Sequence, residues 1–245
     1  MPHFMREKFK TYKDVFDLYT ERNIFRLSSQ GHFDRLEGPV SIGKEANIFT
    51  ALKGNKRVIV KIYRLETCDF NRMYDYIKLD TRYIGLKKKR RKIIFTWCQR
   101  EFRNLMKARQ AKIKVPMPIT FRDNLLVMEL IGDKSPAPKV KDLLPKDPKR
   151  FYGVVLDSMK KLHNAGLVHG DLSEFNILNY KEKPCFIDMS QASTLESANA
   201  DELLERDIKN MARFFSKLGL KIDKDEMKKY IVGIGKSQES IKKPK

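Results

Sequence analysis

A chain of 245 residues, 41% of them apolar, is long enough for one large domain or two small lobes around a core. Its 51 lysines and arginines against 31 aspartates and glutamates leave a formal net charge of +20. That surplus points to a polyanionic partner, nucleic acid or a ribonucleoprotein first, although solubility and basic tails alone would also produce it. The three cysteines (Cys68, Cys98, Cys185) lack CxxC spacing and the four histidines form no HExxH, so neither a zinc site nor a disulfide framework is expected. The start, Met1 to Lys8, has no signal-peptide core, and no segment approaches the ~20 apolar residues of a membrane span, so a cytoplasmic protein is expected.

Val15, Phe16, Leu18, Tyr19, Ile24 and Phe25 recur at helical spacing over 11–29, which predicts one helix, continuous or broken near Asn23 and ended by Gly31. Strand patterns follow at 33–42 and 47–52. Lys53-Gly54-Asn55-Lys56 reads as a turn, and Arg57-Val58-Ile59-Val60-Lys61-Ile62-Tyr63 is a β-branched strand. Between the first two strands, Ser41-Ile42-Gly43-Lys44-Glu45-Ala46-Asn47 could lie over phosphates, although a stretch with one glycine also reads as an ordinary turn.

Lys61 stands inside a strand that looks buried, where a charge is costly without a partner. Either it points outward from a hairpin sheet, or a carboxylate meets it. A helix is expected over 93–108, and Glu101 within it could supply that carboxylate and hold the lysine against nucleotide phosphates. Between strand and helix, residues 66–92 form an insert ending in six consecutive cations, Lys87-Lys88-Lys89-Arg90-Arg91-Lys92. Such a run repels itself, so part of the insert should be mobile or lie on an anion. Tyr74, Tyr76 and Tyr83 interleave with it, a composition that suits RNA stacking as well as a plain solvated charge run.

Two apolar runs, 119–121 and 125–130, turn at Arg122-Asp123-Asn124, and the composition shifts after Leu130, marking a lobe boundary. A helix over 148–165 places Phe151, Val154, Val155, Met159 and Leu162 inward. Next comes His169-Gly170-Asp171-Leu172-Ser173-Glu174-Phe175-Asn176, then a strand pair at 177–180 and 185–188 ending on Asp188, then helices over 200–218 and 224–234 and a polar tail. An Asp, an Asn five residues later and a second Asp at a strand end suit magnesium and phosphate. One carboxylate can orient a hydroxyl, and the other two groups can hold the metal. By itself the stretch is also compatible with a polar turn.

Taken in order, the loop at 41–47, Lys61, Glu101, the Glu129–Pro138 linker, Asp171, Asn176 and Asp188 resemble a protein-kinase-like fold. More specifically, they resemble the RIO family of atypical serine/threonine kinases, type 1 branch, over residues 10–235. Gly43-Lys44-Glu45-Ala46-Asn47, Arg100-Glu101-Phe102-Arg103-Asn104-Leu105, Met128-Glu129-Leu130-Ile131-Gly132, the His169–Asn176 stretch and Ile187-Asp188-Met189-Ser190-Gln191 carry the resemblance. It implies an α+β bilobal fold, with an antiparallel-sheet N-lobe and a mainly helical, truncated C-lobe. The expected organisation is a helical extension at 1–38, an N-lobe at 39–131 containing the basic insert, a C-lobe at 132–235 and a basic tail at 236–245.

By the same resemblance, Ser41 and Lys44 contact phosphates, and Lys61, held by Glu101, clamps the nucleotide. Met128 backs the pocket while the Glu129 carbonyl and Ile131 amide meet adenine. Asp171 is the catalytic base, and Asn176 and Asp188 are metal ligands. ATP with Mg²⁺, or Mn²⁺ in its place, is the implied cofactor set. The forty or so residues before the loop are too few for the winged-helix domain of the type 2 branch. The sequence reads Asp188-Met189-Ser190 where an ordinary kinase has Asp-Phe-Gly, Gly170 replaces the usual Arg, and an Ala-Pro-Glu signature is missing. With 57 residues after Asp188, the peptide-docking half of an ordinary kinase is not expected, which puts routine phosphorylation of protein substrates in doubt.

The family implies a role in small-ribosomal-subunit maturation. ATP hydrolysis with phosphorylation of Asp188 would serve as a release switch, Lys87–Lys92 would meet ribosomal RNA, and the chain would act as a monomer. Three other readings compete: a small-molecule kinase, a small kinase partnering a tRNA-modifying complex, and a basic RNA-binding scaffold without catalysis. Ser190-Gln191 and the basic insert argue against the first two, and the intact Lys61, Glu101, Asp171, Asn176 and Asp188 against the third.

Overall fold

The structure is a computed structural model that describes residues 16–233; the expectations for the first part of the N-terminal helix and for the basic tail lie outside these residues. The chain divides into two compact units. One takes in residues up to Lys78, Tyr83–Met106 and Pro116–Pro136, and the other Leu79–Arg82, Lys107–Val115 and the chain from Ala137 onward.

The first unit is an antiparallel five-stranded sheet in the order β1-β2-β3-β5-β4. Its strands are β1 (Arg35–Ile42), β2 (Ala46–Lys53), β3 (Lys56–Tyr63), β4 (Pro118–Arg122) and β5 (Leu125–Glu129). Helix α1 (Leu18–Ser29) starts where the Asp17 carboxylate accepts the amides of Tyr19 and Thr20, which would otherwise lack partners. Its buried Ile24 and Leu27 pack with Phe33, Phe49, Val58, Val60, Ile62, Leu125 and Val127 into one core. Those strand residues alternate along β3 and β5 and so face one side of the sheet. Asn124 locks the β4–β5 turn to the rest, its amide donating to the Thr20 hydroxyl and to the Tyr63 carbonyl, each at 2.9 Å.

The insert carries secondary structure of its own. Asp69 caps helix α2 (Phe70–Ile77), whose Met73 and Ile77 are buried. A 3-10 turn follows at Thr81–Tyr83. The basic run is split, because Arg90–Lys92 form the first turn of helix α3 (Arg90–Gln110). Tyr83 is buried and Tyr76 meets Trp97 edge-on at 6.1 Å, while the Lys88 ammonium lies over the Tyr74 ring.

The second unit is mainly helical: α4 (Pro148–Asn164), α5 (Ala200–Lys217) and α6 (Lys224–Val232). On α4, Phe151, Val155, Met159 and Leu162 are buried as expected, but Val154 is 43% exposed. Its neighbours one turn on, Asp157 and Ser158, set it on the polar side of the helix. A hairpin of β7 (Ile177–Tyr180) and β8 (Lys183–Phe186) turns at Lys181 and Glu182, both with positive φ, as a two-residue hairpin turn demands. Strand β8 therefore ends before Asp188, which the sequence had placed on it. Two short strands that the sequence did not reveal, β6 (Leu167–Val168) and β9 (Ser193–Thr194), pair antiparallel through Val168 and Ser193. Among the described residues no helix is long and apolar enough to cross a membrane.

Candidate active site

The residues singled out from the sequence fall into two sets, one in each unit. In the first unit, Lys61 pairs with Ile48 on β2 and Leu126 on β5, and Ile59 pairs with Met128. Lys61, Ile59 and Met128 therefore share the sheet face opposite the α1 core. Lys61 is 5% and Glu101 1% exposed, and Lys61 Nζ lies 2.9 Å from Glu101 Oε1. The Tyr63 hydroxyl donates to the other carboxylate oxygen, and the Lys61 ammonium sits 5.1 Å from the Tyr63 ring centroid. A buried ion pair survives when its remaining lone pairs are satisfied, and Tyr63 does that for Glu101. Tyr63 was missed at the sequence level; its signal was its place two residues after Lys61 on the same face of one strand.

The phosphate-loop candidate is held as a tight turn, in which the Gly43 amide donates to the Ala46 carbonyl at 3.1 Å. A Cβ at Gly43 would stand 3.0 Å from that carbonyl oxygen. The Lys44 carbonyl accepts the Thr67 hydroxyl at 3.2 Å, while the Lys44 and Ser41 side chains are exposed. At the linker, Met128 and Ile131 are buried, and the Glu129 carboxylate accepts the Met117 amide at 3.0 Å. That leaves to the backbone at Glu129 and Ile131 the adenine role that the resemblance implies.

In the second unit, the strand pair β6–β9 brackets two segments, 169–176 and 187–192, and the Ile187 amide donates to the Asn176 carbonyl at 3.0 Å. Asn176 Nδ2 donates to the Asp171 carbonyl at 2.8 Å and to Asp171 Oδ2 at 3.0 Å. Asp188 lies in the left-handed region, φ 59° and ψ 63°, which Asp tolerates better than most residues, and its Oδ1 accepts the Ser190 hydroxyl at 2.7 Å. His169, 1% exposed, places Nε2 3.1 Å from the Ile187 carbonyl, one residue before Asp188. Burial pushes its imidazole down to about 4, so it is neutral and donates from Nε2.

Gly170 has φ +78°, and a Cβ there would stand 2.9 Å from the Gln191 carbonyl oxygen and 3.3 Å from Leu203 Cδ1. That accounts for glycine where an ordinary kinase loop has arginine. The backbone on either side of Asp171 is held by a residue the sequence reading missed. Asp207 on α5, 1% exposed, accepts the Gly170 amide at 2.8 Å and the Leu172 amide at 2.7 Å. Burial raises its carboxyl to about 7 against the opposing pull of these two bonds. Its signal was an acid at a core position of an apolar helix face, between Leu203, Leu204, Ile208 and Met211.

The donor set suits a hard cation. Asn176 uses its amide nitrogen on Asp171, so its Oδ1 is the atom left for a metal, and the Asp188 carboxylate accepts the Ser190 hydroxyl. No group of three or more His, Cys, Asp or Glu side chains gathers into a metal site among the described residues. An amide oxygen and a carboxylate are hard donors of the kind Mg²⁺ takes, one or two protein groups at a time, with water and substrate phosphates completing its shell.

The chain is similar to known proteins of one family. A family model for the RIO domain matches residues 47–228. A RIO-type serine/threonine-protein kinase Rio1 from Methanocaldococcus jannaschii is 42% identical over 229 residues, covering 93% of this chain and 79% of that one. The Rio1 of Haloferax volcanii is 40% identical over 231 residues, with the same coverage of each chain. The crystal structure of a Rio2 kinase–ADP/Mg²⁺–phosphoaspartate complex from Chaetomium thermophilum superposes with a TM-score of 0.65 at 22% identity, over 85% of this chain and 65% of that one, a likeness of fold.

Proposed function

We propose a function that starts from one established point: the chain belongs to the RIO family of serine/threonine protein kinases. It is an enzyme of phosphoryl transfer, and ATP with Mg²⁺ is its substrate pair. Lys61 neutralises the α- and β-phosphates while Glu101 and Tyr63 keep its ammonium in place. Ser41, Lys44 and the amides of the 43–46 turn meet the phosphates, Met128 lines the adenine side, and the Glu129 carbonyl and Ile131 amide bond the base. Asn176 Oδ1 and the Asp188 carboxylate hold the metal, which when bound neutralises charge on the phosphate oxygens; Mn²⁺ substitutes for it. The acceptor hydroxyl gives its proton to the Asp171 carboxylate as its oxygen bonds the γ-phosphorus and the bond to the β-phosphate oxygen breaks, releasing ADP.

The same site can run without a protein acceptor. An Asp188 oxygen attacks the γ-phosphorus, ADP leaves, and a phosphoaspartate remains. Water then attacks that phosphorus, losing its proton to Asp171, and phosphate departs with the carboxylate restored. The Chaetomium relative is named for such a phosphoaspartate. We place the cycle in small-ribosomal-subunit maturation in the cytoplasm, the protein docking as a monomer on precursor ribosomal RNA through Lys87–Lys92 and leaving when the phosphoaspartate forms or is hydrolysed. The net charge of +20 supports a polyanionic partner.

The observation that carries the catalytic reading is the double donation of Asn176 to Asp171, which makes the base and the metal ligand one rigid unit. The test is incubation with Mg²⁺ and γ-labelled ATP, with and without small ribosomal subunits, following free phosphate and labelled protein together. Turnover in the wild type and its loss in Asp171→Ala are expected. Equal turnover in both would overturn the assignment.

A further inference from the structure

Phosphoryl transfer makes no use of the cations at the start of α3. Arg90, Arg91 and Lys92 occupy its first turn with no acid among them, and Lys87–Lys89 precede them. Cations at a helix N-terminus oppose the macrodipole and one another, so this arrangement costs stability. The six do not act alike. The Arg90 guanidinium donates to the carbonyls of Leu65 at 3.3 Å and Glu66 at 2.5 Å and lies 4.4 Å from the Phe70 ring, which makes it a brace for the start of the insert. Lys88 lies over Tyr74.

Lys89, Arg91 and Lys92, by contrast, line a groove of 490 Å³ together with Phe95, Gln99 and Phe121. That volume is within the ~300–1,000 Å³ usual for ligand sites. Arg91 also covers the Tyr19 ring at 5.1 Å, and Tyr19 stacks on Phe95 with centroids 5.7 Å apart and planes 10° from parallel. The acid in the lining, Asp123, already accepts the Tyr19 hydroxyl at 2.7 Å and the Asn23 amide at 3.0 Å. The charge presented outward is therefore positive.

We propose that this groove is a binding site for single-stranded RNA. Lys89, Arg91 and Lys92 take successive backbone phosphates, a base stacks against the aromatic wall of Phe95 and Phe121, and Gln99 bonds a base edge. The inference rests on the reading that the chain engages RNA, and deepens it by naming the surface and the strandedness. Cations beside aromatic faces in a groove are the combination single strands use, since an unpaired base offers a π-face that a duplex hides and an acidic peptide lacks.

The experiment is fluorescence anisotropy of labelled oligouridine, its duplex counterpart and poly-glutamate with the full chain, across a salt series. Wild type should prefer oligouridine to both competitors by at least about ten-fold, as stacking of each base contributes a factor of that order. The Lys89→Ala/Arg91→Ala/Lys92→Ala triple variant should lose about two from the slope of log affinity against log salt, at ~0.7 per phosphate contact. Phe95→Leu should lose affinity about ten-fold with the slope unchanged. Arg90→Ala should keep the wild-type slope while melting lower, and the triple variant should melt no lower than wild type. If wild type binds RNA but the triple variant binds it with equal affinity and slope, the groove is wrong and the RNA reading stands. Absence of any RNA binding by wild type overturns both. Poly-glutamate or duplex binding as tight as oligouridine overturns the single-strand assignment.

Discussion

The Asp207 carboxylate on α5 accepts the Gly170 amide at 2.8 Å, and its second oxygen holds Leu172 in the same way. A helix side chain thus holds the backbone on both sides of Asp171, the proposed catalytic base. Hydrogen bonds to a charged partner are worth ~1.5–3 kcal/mol, so Asp207→Asn, which keeps the shape but replaces one acceptor oxygen by a donor, should lower kcat about ten- to a hundred-fold. KM for ATP should change much less. Steady-state ATP turnover with circular dichroism as a fold control measures this, and an unchanged kcat would reduce Asp207 to packing.

Two buried groups should leave opposite marks on stability against pH. His169 is held down at about 4 by burial, below its ordinary value, so the unfolded chain binds the extra proton. Its contribution is present above about 6.5 and lost as pH falls towards about 4. Asp207 is raised to about 7, so here the folded chain binds the extra proton, and stability falls as pH rises from about 4 to about 7. The two partly cancel in the wild type. Denaturant unfolding across pH should show, relative to wild type, a steeper gain with rising pH in Asp207→Asn and a steeper loss in His169→Gln. Parallel curves for all three proteins would contradict the account.

Gly170 is the residue that lets the loop pass beneath the Gln191 carbonyl. Gly170→Ala forces a Cβ to 2.9 Å from that oxygen at a φ of +78°, a strain of ~1–3 kcal/mol. Gly170→Arg, the residue of ordinary kinase loops, should be worse because the same backbone is required and a long side chain must also be placed. Thermal melts should order wild type, Ala and Arg in that sequence, with ATP turnover falling in the same order.

Lys61 and Glu101 should couple strongly. Removing either partner strands a buried charge, at a cost of ~3–5 kcal/mol, whereas removing both strands none. Lys61→Met and Glu101→Leu should therefore each destabilise more than half as much as, or even more than, the double variant, and all three should lose turnover. Strict additivity in urea unfolding would show that the pair is energetically unlinked.

How much of this was legible depended on the range of the interaction. Asp171, Asn176 and Asp188 could be singled out because the chemistry of metal and phosphate asks for such groups at short spacings, and the two hydrogen bonds of Asn176 to Asp171 bring two of them together. Lys61 was legible as a charge out of place in a strand, and its partner was found because one acid on the following helix lay beside buried positions. Asp207 was not, since it acts on a residue 37 positions away and only the pairing of loop against helix reveals it. The left-handed turn at Asp188 escaped a strand pattern that ran smoothly through Phe186 and Ile187. The two-residue strands β6 and β9 are too short for any periodicity. The helix within the insert was not read, because the charge around it masks the Met73 and Ile77 that bury one side of α2.

Asp188 is proposed as an acceptor of phosphate as well as a metal ligand. Its most direct test is γ-labelled ATP with Mg²⁺, quenching in acid, and splitting the sample between hydroxylamine, which cleaves acyl phosphates, and a salt control. Wild-type label that hydroxylamine removes, located at Asp188 by mass spectrometry, is expected, with no such label in Asp188→Asn. Hydroxylamine-resistant label alone, or label of equal amount and lability in Asp188→Asn, would contradict it.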